Sequence, residues 1–164
     1  MKVAFVGAHS TGKSTLFDEI IKHPKFDSYK KIDTIARNRP KGFTDKANQG
    51  YVNRAYLWQH FINPNFISAR SMYDAWAYSR VNCGLTFYKQ RFNLGVQLIH
   101  YDYLFYLPIE FQLKDDNYRP TTIEYQYKID TELNKLFKEY NVNYTTITGT
   151  IEQRLSRIKY FLEL

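Results

Sequence analysis

The chain reads as an α/β domain, a parallel sheet with helices on both faces. Three observations predict this. Apolar runs of strand length alternate with segments of helical period, the first run passes through a glycine-rich turn into a helix, and no repeat or linker breaks the pattern. At 164 residues the chain suits one domain with a sizeable core and is too short for two ordinary ones, so residues 1–164 are read as a single unit.

The elements follow in chain order. Residues 2–6 form a short apolar run ending at Gly7, as a buried strand does. Residues 13–22 set Leu16, Phe17, Ile20 and Ile21 on one helical face, and His23-Pro24 ends that helix because a residue before proline leaves the helical region. Residues 29–32 form a second strand with Asp33 at its carboxyl end. Residues 43–50 are polar and read as loop. YVNRAYLWQHFI, residues 51–62, then carries Tyr51, Ala55, Trp58 and Ile62 at helical spacing, with Trp58 expected in the core. Residues 66–68 are a minimal third strand, followed by the helix SMYDAWAYSRV; residues 85–98 are helical and 101–107 form the next strand, closed by Pro108. Residues 110–120 lack a period and read as a loop. Thr121 and Glu124 have capping-box spacing ahead of a long helix with Ile129, Leu133, Leu136, Phe137 and Tyr140 inward. Residues 143–148 are the last strand, and Thr150 with Gln153 repeats the capping pattern before a helix that buries Ile151, Leu155 and Ile158.

Composition narrows the setting. A single cysteine, Cys83, excludes an internal disulfide and points to a cytoplasmic environment. No stretch approaches the roughly 20 apolar residues of a membrane span, so a soluble protein is expected. The formal charge of +7 is uneven, with Lys22, Lys25, Lys30, Lys31, Arg37, Arg39, Lys41 and Lys46 in one quarter of the chain. Anionic partners are favoured there, although a solvated surface is the simpler account of residues 22–31.

Residues 7–15, GAHSTGKST, carry the strongest chemical signal. Gly7, Gly12, Lys13 and Ser14 fit G-x-x-x-x-G-K-S/T, in which glycines let the backbone curl so that consecutive N–H groups face phosphate oxygens. The following helix directs its positive end at the same place. Lys13 supplies a point charge to the outer phosphates and Ser14 an oxygen for magnesium. His9, Ser10, Thr11 and Thr15 complete the expected nucleotide-binding set, with the His9 side chain reading as a tolerated group that faces solvent. The loop alone leaves kinase, hydrolase and switch open.

A kinase needs further groups around the acceptor. Asp33 and Arg37 stand one helical turn apart just beyond the second strand, near the mouth of the loop; helix capping by Asp33 is the plainer account. Arg70 follows the third strand directly and can fork onto a phosphate, with Asp74 a turn further on; a surface ion pair is the plainer account. Arg119 ends the loop before the long helix and can reach a transferring phosphoryl group. Gln59, beside Trp58 and Tyr56, is placed to pair with the edge of a base.

Taken together, GAHSTGKST, IDTIAR, KGF, ISARSMYDAWAY, YDYLFYLPIEF, DDNYR and GTIEQRL resemble the P-loop nucleoside and nucleotide kinases, in the branch similar to the ribosylnicotinamide kinase domain and phage-encoded kinases. The likeness spans nearly the whole chain in motif order. It implies a three-layer sandwich with a five-stranded parallel sheet, ATP with Mg2+ in the loop, and an acceptor between the second and third strand ends. It further implies Asp33 as general base or hydroxyl-positioning group, Arg37 and Arg70 as acceptor contacts, and Arg119 on a lid at about residues 108–120. Residues 149–154, with Arg154, fall beside the adenine. Pairing of two copies through helices flanking the third strand is implied as well. One departure stands out: the family's Asp-Arg-Ser is here Ala69-Arg70-Ser71. Either Asp33 or Asp74 compensates, or turnover is weak.

Three readings follow. The first is transfer of the γ-phosphate of ATP to a nucleoside or nucleoside monophosphate, with the deoxy form expected. The second makes the acceptor a nucleic-acid hydroxyl, with the basic stretch from Lys22 to Lys46 tracking the backbone. The third is a nucleotide-binding module with little turnover.

Overall fold

A computed structural model describes residues 1–38, 46–84, 89–113 and 122–164. Its strands are β1 (Lys2–Val6), β2 (Lys30–Ile32), β3 (Phe66–Ser68), β4 (Tyr103–Tyr106) and β5 (Thr145–Thr146). All pairings are parallel, in the order β2-β3-β1-β4-β5. The helices are α1 (Lys13–Ile20), α2 (Lys46–Ile62), α3 (Met72–Cys83), α4 (Lys89–Leu98), α5 (Ile123–Glu139) and α6 (Ile151–Leu162). The predicted α/β sandwich is the observed one.

Because successive side chains of a strand point to opposite faces, β1 feeds both cores. Val3 and Phe5 join Leu16 and Phe17 of α1 and Ile158 of α6. Ala4 and Val6 join Tyr56 of α2, Trp76 of α3 and Leu133 of α5. A strand buried on both faces carries an unbroken apolar run, which is why KVAFV was legible. With β1 at the centre and the chain passing first to β2 and β3, then across to β4 and β5, the order reverses beside β1. Ligands bind such a sheet beyond the strand ends at that reversal.

Helix α3 is buried along Met72–Ser79, including the polar Asp74 and Ser79, since α2 and α5 flank it above the sheet. It enters from the end of β3 through Ser71, whose hydroxyl accepts from Asp74 N while the Asp74 side chain accepts from Ser71 N. This reciprocal cap fixes the direction of Arg70 and Asp74.

Several sequence expectations require correction. Helix α2 starts at Lys46, inside the segment read as loop. Its inward stripe is Gln49, Val52, Asn53, Tyr56 and His60, whereas Tyr51, Trp58 and Ile62 are exposed, Trp58 by 60%. The polar stripe wins because it finds partners inside. Asn53 Nδ2 donates to Ser79 Oγ at 2.6 Å, and the Tyr56 hydroxyl accepts from Ile35 N at 3.1 Å. The cap of α5 is Thr122, accepting from Tyr125 N, one residue later than expected. Strand β5 is limited to two residues. Residues 85–88 of the expected fourth helix lie outside the described residues. Among the described residues no helix is long and apolar enough to cross a membrane.

His60 ties α2 to the sheet from a fully buried position. Its ring stacks on Phe66 at 4.5 Å, Nε2 meets Ser68 Oγ at 3.1 Å, and Nδ1 meets the Tyr101 hydroxyl at 3.0 Å. That hydroxyl also accepts from Met72 N, the start of α3. Burial, with Lys2 nearby, lowers the imidazole from 6.5 to about 3. The folded chain therefore holds His60 neutral while the unfolded chain protonates it below 6.5. Its contribution to stability is lost as pH falls from about 6.5 towards 3, with a slope of up to about 1.4 kcal/mol per pH unit. Denaturant titrations of wild type and His60→Gln between pH 4 and 7 should show the steeper acid loss in wild type. Parallel curves would contradict this assignment.

Candidate active site

Residues 7–15 form the turn between β1 and α1, and its shape depends on two glycines. Gly7 has φ 151°, and a Cβ there would lie 2.4 Å from Leu107 O, so any side chain collides with the backbone just past β4. Gly12 has φ 86°, in the left-handed region, and occupies the N-cap of α1. Glycine has no side chain to cap the first turn, so the amides there are directed at the loop interior. Ser10 also adopts positive φ, 58°. Lys13, 3% exposed, folds back over the loop: its Nζ donates to Ala8 O and, at 2.9 Å, to Thr11 Oγ1.

Three buried side chains from three helices hold this turn. Asp74 of α3 accepts from Gly7 N at 3.1 Å through Oδ1, while Oδ2 accepts from the amide and hydroxyl of Ser71, both at 2.8 Å. Gln126 of α5 donates from Nε2 to His9 O at 2.7 Å. Arg154 of α6, fully buried, donates to Thr11 O at 2.8 Å, Gly149 O at 2.9 Å and Glu110 Oε2 at 2.7 Å. Phe111 stacks over the same guanidinium at 4.5 Å. The Arg154 hydrogen bond, with that of Gly149 N, holds the Glu110 carboxyl below its usual range. A buried guanidinium needs this many acceptors, since an unpaired charge inside is strongly destabilising.

Beside the loop, between β2, α2 and α3, lies a pocket open to solvent whose lining includes Thr34, Gln49, Tyr56, Arg70, Asp74 and Tyr78. Arg70 is 8% exposed and its Nη1 stands 3.8 Å from Asp74 Oδ1. Arg70 Nη1 and Thr34 Oγ1 are buried with no hydrogen-bond partner among the described residues. Polar atoms left this way inside a protein are available to water or a bound molecule. Burial also pushes the Tyr56 phenol up, against the nearby Arg70.

The structure thus gathers Gly7, Ser10, Thr11, Gly12, Lys13, Ser14 and Thr15 in the loop, with Arg70 and Asp74 at its flank. Arg154 supports the loop from beneath instead of lying open beside it. His9 is the main correction. It is 1% exposed, not solvent-facing, because its Nδ1 meets the Tyr78 hydroxyl at 3.1 Å and its ring packs by Tyr125. Asp33 is exposed at the end of β2, accepts from Thr34 N at 2.5 Å, and lines an outer groove with Lys30, Lys31 and Gln59. Gln59 is therefore outside the pocket, whereas Gln49 lines it with its Oε1 accepting from Ser79 Oγ at 3.1 Å. Arg37 belongs to the short 3-10 helix Ile35–Asn38. Arg119 and residues 114–121 of the expected lid lie outside the described residues.

Two acids bear on the missing carboxylate. Asp74 does not replace it, since both of its oxygens are engaged by the loop and by Ser71. Ala69 itself is fully buried in the apolar cluster of Leu16, Phe17 and Leu107. Asp130, which the sequence reading passed over, accepts from the Tyr106 hydroxyl at 2.8 Å; burial raises its carboxyl while Tyr106 and Lys13 lower it. Among the described residues no group of three or more His, Cys, Asp or Glu could hold a metal.

A family model described as an AAA domain matches residues 2–154. No protein of curated function matches the sequence significantly. Among solved structures, deoxyadenosine kinase from M. mycoides with its products dCMP and a flexible dCDP superposes with TM-score 0.72 at 18% identity, over 99% of this chain and 98% of that one. The same kinase with bound dATP gives 0.71 at 17% identity, covering 100% of both chains. Thymidylate kinase from Ehrlichia chaffeensis gives 0.61 at 12% identity, covering 98% of both. The shared feature is the fold, that of P-loop nucleoside and nucleotide kinases.

The three-point suspension of the loop has a measurable consequence. Arg154→Ala should lower unfolding free energy by roughly 3 kcal/mol, the order expected for losing several charge-assisted bonds from a buried site. Arg154→Lys keeps the charge without the fork and should recover less than half of that loss. Urea unfolding of the three proteins checks this; a change below about 0.5 kcal/mol for the alanine variant would contradict it.

Proposed function

We propose that this chain, which belongs to the AAA domain family over residues 2–154 and shares its fold with deoxyadenosine and thymidylate kinases, is a kinase moving the γ-phosphate of ATP to a nucleoside. The observation that carries this reading is the adjacency of a preformed phosphate loop and a pocket that share Asp74 of α3. A hydrolase or switch has no need of the second cavity. Among the described lining residues, Arg70 and Asp74 cancel in formal charge. That balance favours an uncharged nucleoside over a dianionic monophosphate as acceptor.

The residues divide the work as follows. Loop amides after Gly7, whose own N–H is committed to Asp74, bind the phosphates together with the α1 N-terminus, and Lys13 exchanges its contacts with Ala8 O and Thr11 Oγ1 for phosphate oxygens. Bound Mg·ATP supplies the phosphoryl group and neutralises part of its charge, with Ser14 as metal ligand. Arg70 donates from Nη1 towards the acceptor or the transferring group. Asp33, in the outer groove next to the pocket residue Thr34, is the acid assigned to orient the acceptor hydroxyl and take its proton. Arg119, outside the described residues, is assigned as a second cation for the transferring group. A cytoplasmic setting fits this chemistry.

A coupled ADP-release assay against nucleosides and nucleoside monophosphates tests the reading. Nucleosides should be phosphorylated in preference to their monophosphates. Lys13→Met should lower kcat/KM by about 10^2- to 10^3-fold. Asp33→Asn should lower kcat by about 10^2- to 10^4-fold. Absence of acceptor-dependent ADP across the panel would contradict the assignment. Ala69→Asp places a carboxylate in an apolar cluster and should reduce stability by about 3 kcal/mol without raising turnover. An increase in kcat for that variant would instead show that the missing acid limits the enzyme.

A further inference from the structure

The loop and the acceptor pocket share more than a border. Asp74 and Tyr78 lie one turn apart on α3 and line the pocket together. Each also touches the phosphate loop, Asp74 through Gly7 N at 3.1 Å and Tyr78 through His9 Nδ1 at 3.1 Å. The His9 backbone is fixed from the other side, where its carbonyl accepts from Gln126. A loop position that only turns the chain needs no buried imidazole, and enclosing one is unfavourable unless its polar atoms serve a contact. Here the ring is sequestered between Tyr78, 6.4 Å away, and Tyr125, 5.7 Å away. Tyr125 in turn exchanges hydrogen bonds with Asn82 near the end of α3.

We propose that the His9–Tyr78 contact couples the two ligand sites, so that a nucleoside in the pocket and a nucleotide in the loop each tighten binding of the other. An acceptor seated against Tyr78 fixes its ring and hydroxyl. That hydroxyl fixes His9, and His9 sets the direction of the loop amides that follow it. His9 and Tyr78 are thus positioning residues for the donor phosphates. The inference rests on the kinase reading above, and it adds a thermodynamic requirement which that reading does not contain. Coupling between binding sites is reciprocal, so the factor must be the same whichever ligand is varied.

The test measures calorimetric binding of a non-hydrolysable ATP analogue with magnesium to the full chain, with and without a saturating nucleoside that the coupled assay identifies as acceptor. Wild type should bind the analogue about 5-fold or more tighter when the nucleoside is present, and the nucleoside tighter by an equal factor when the analogue is present. Tyr78→Phe, which removes one hydroxyl, should reduce the factor to below about 2-fold with a melting temperature close to wild type. His9→Phe should do the same from the loop side, and the double variant should lose no more than either single one. An unchanged factor in Tyr78→Phe, or no mutual tightening in wild type, overturns the coupling while phosphorylation in the assay leaves the kinase reading intact. If no nucleoside is phosphorylated or bound, the kinase reading fails and the coupling falls with it.

Discussion

The structure depends on one constraint: a turn with three positive-φ residues, Gly7, Ser10 and Gly12, must keep its amides converged on a single point. The glycines adopt this backbone without steric cost, whereas Ser10 is strained there and is held only because its surroundings over-determine it. The surroundings here are Asp74, Gln126 and Arg154, one side chain from each of three helices in two different layers. Every helix that supplies one is itself anchored by a polar cap, the Ser71 and Thr150 capping boxes on α3 and α6 and Thr122 on α5. Local chain chemistry thus fixes helix direction, helix direction fixes the supports, and the supports fix the loop.

The same logic explains a polar interior on the α2 side of the sheet. His60, Ser68, Tyr101 and the Met72 amide form a connected set. Asn53, Gln49 and Ser79 form another. Buried polar groups with partners determine one register where apolar packing alone tolerates several. That matters for α3, since a slip there would move Arg70 and Asp74 together.

How far the sequence could be read follows from how local each signal is. The loop, β1, β3 and the Thr150 capping box were legible because each is specified by neighbours within a few residues. The inward face of α2 was not, because Tyr51, Trp58 and Ile62 are the more apolar stripe, and the buried status of Gln49, Asn53 and His60 rests on partners from distant segments. His9 was misread for the same reason, since nothing within the loop shows that Tyr78 lies opposite. Arg154 stands in a recognisable motif, but its role under Thr11 O, 143 positions away in the chain, exists only in the folded structure. The site is therefore legible as a list of residues, whereas the division between those that face a ligand and those that hold the loop belongs to the tertiary structure.

The central claim is that the loop is preformed by its supports before any nucleotide arrives. Amide hydrogen exchange resolved at single residues, on the nucleotide-free protein, tests it most directly. The Gly7 amide, bonded to Asp74, should be protected like the amides of β1. Exchange of Gly7 at the rate of an unstructured chain would show that the turn is assembled by its ligand and would contradict the account.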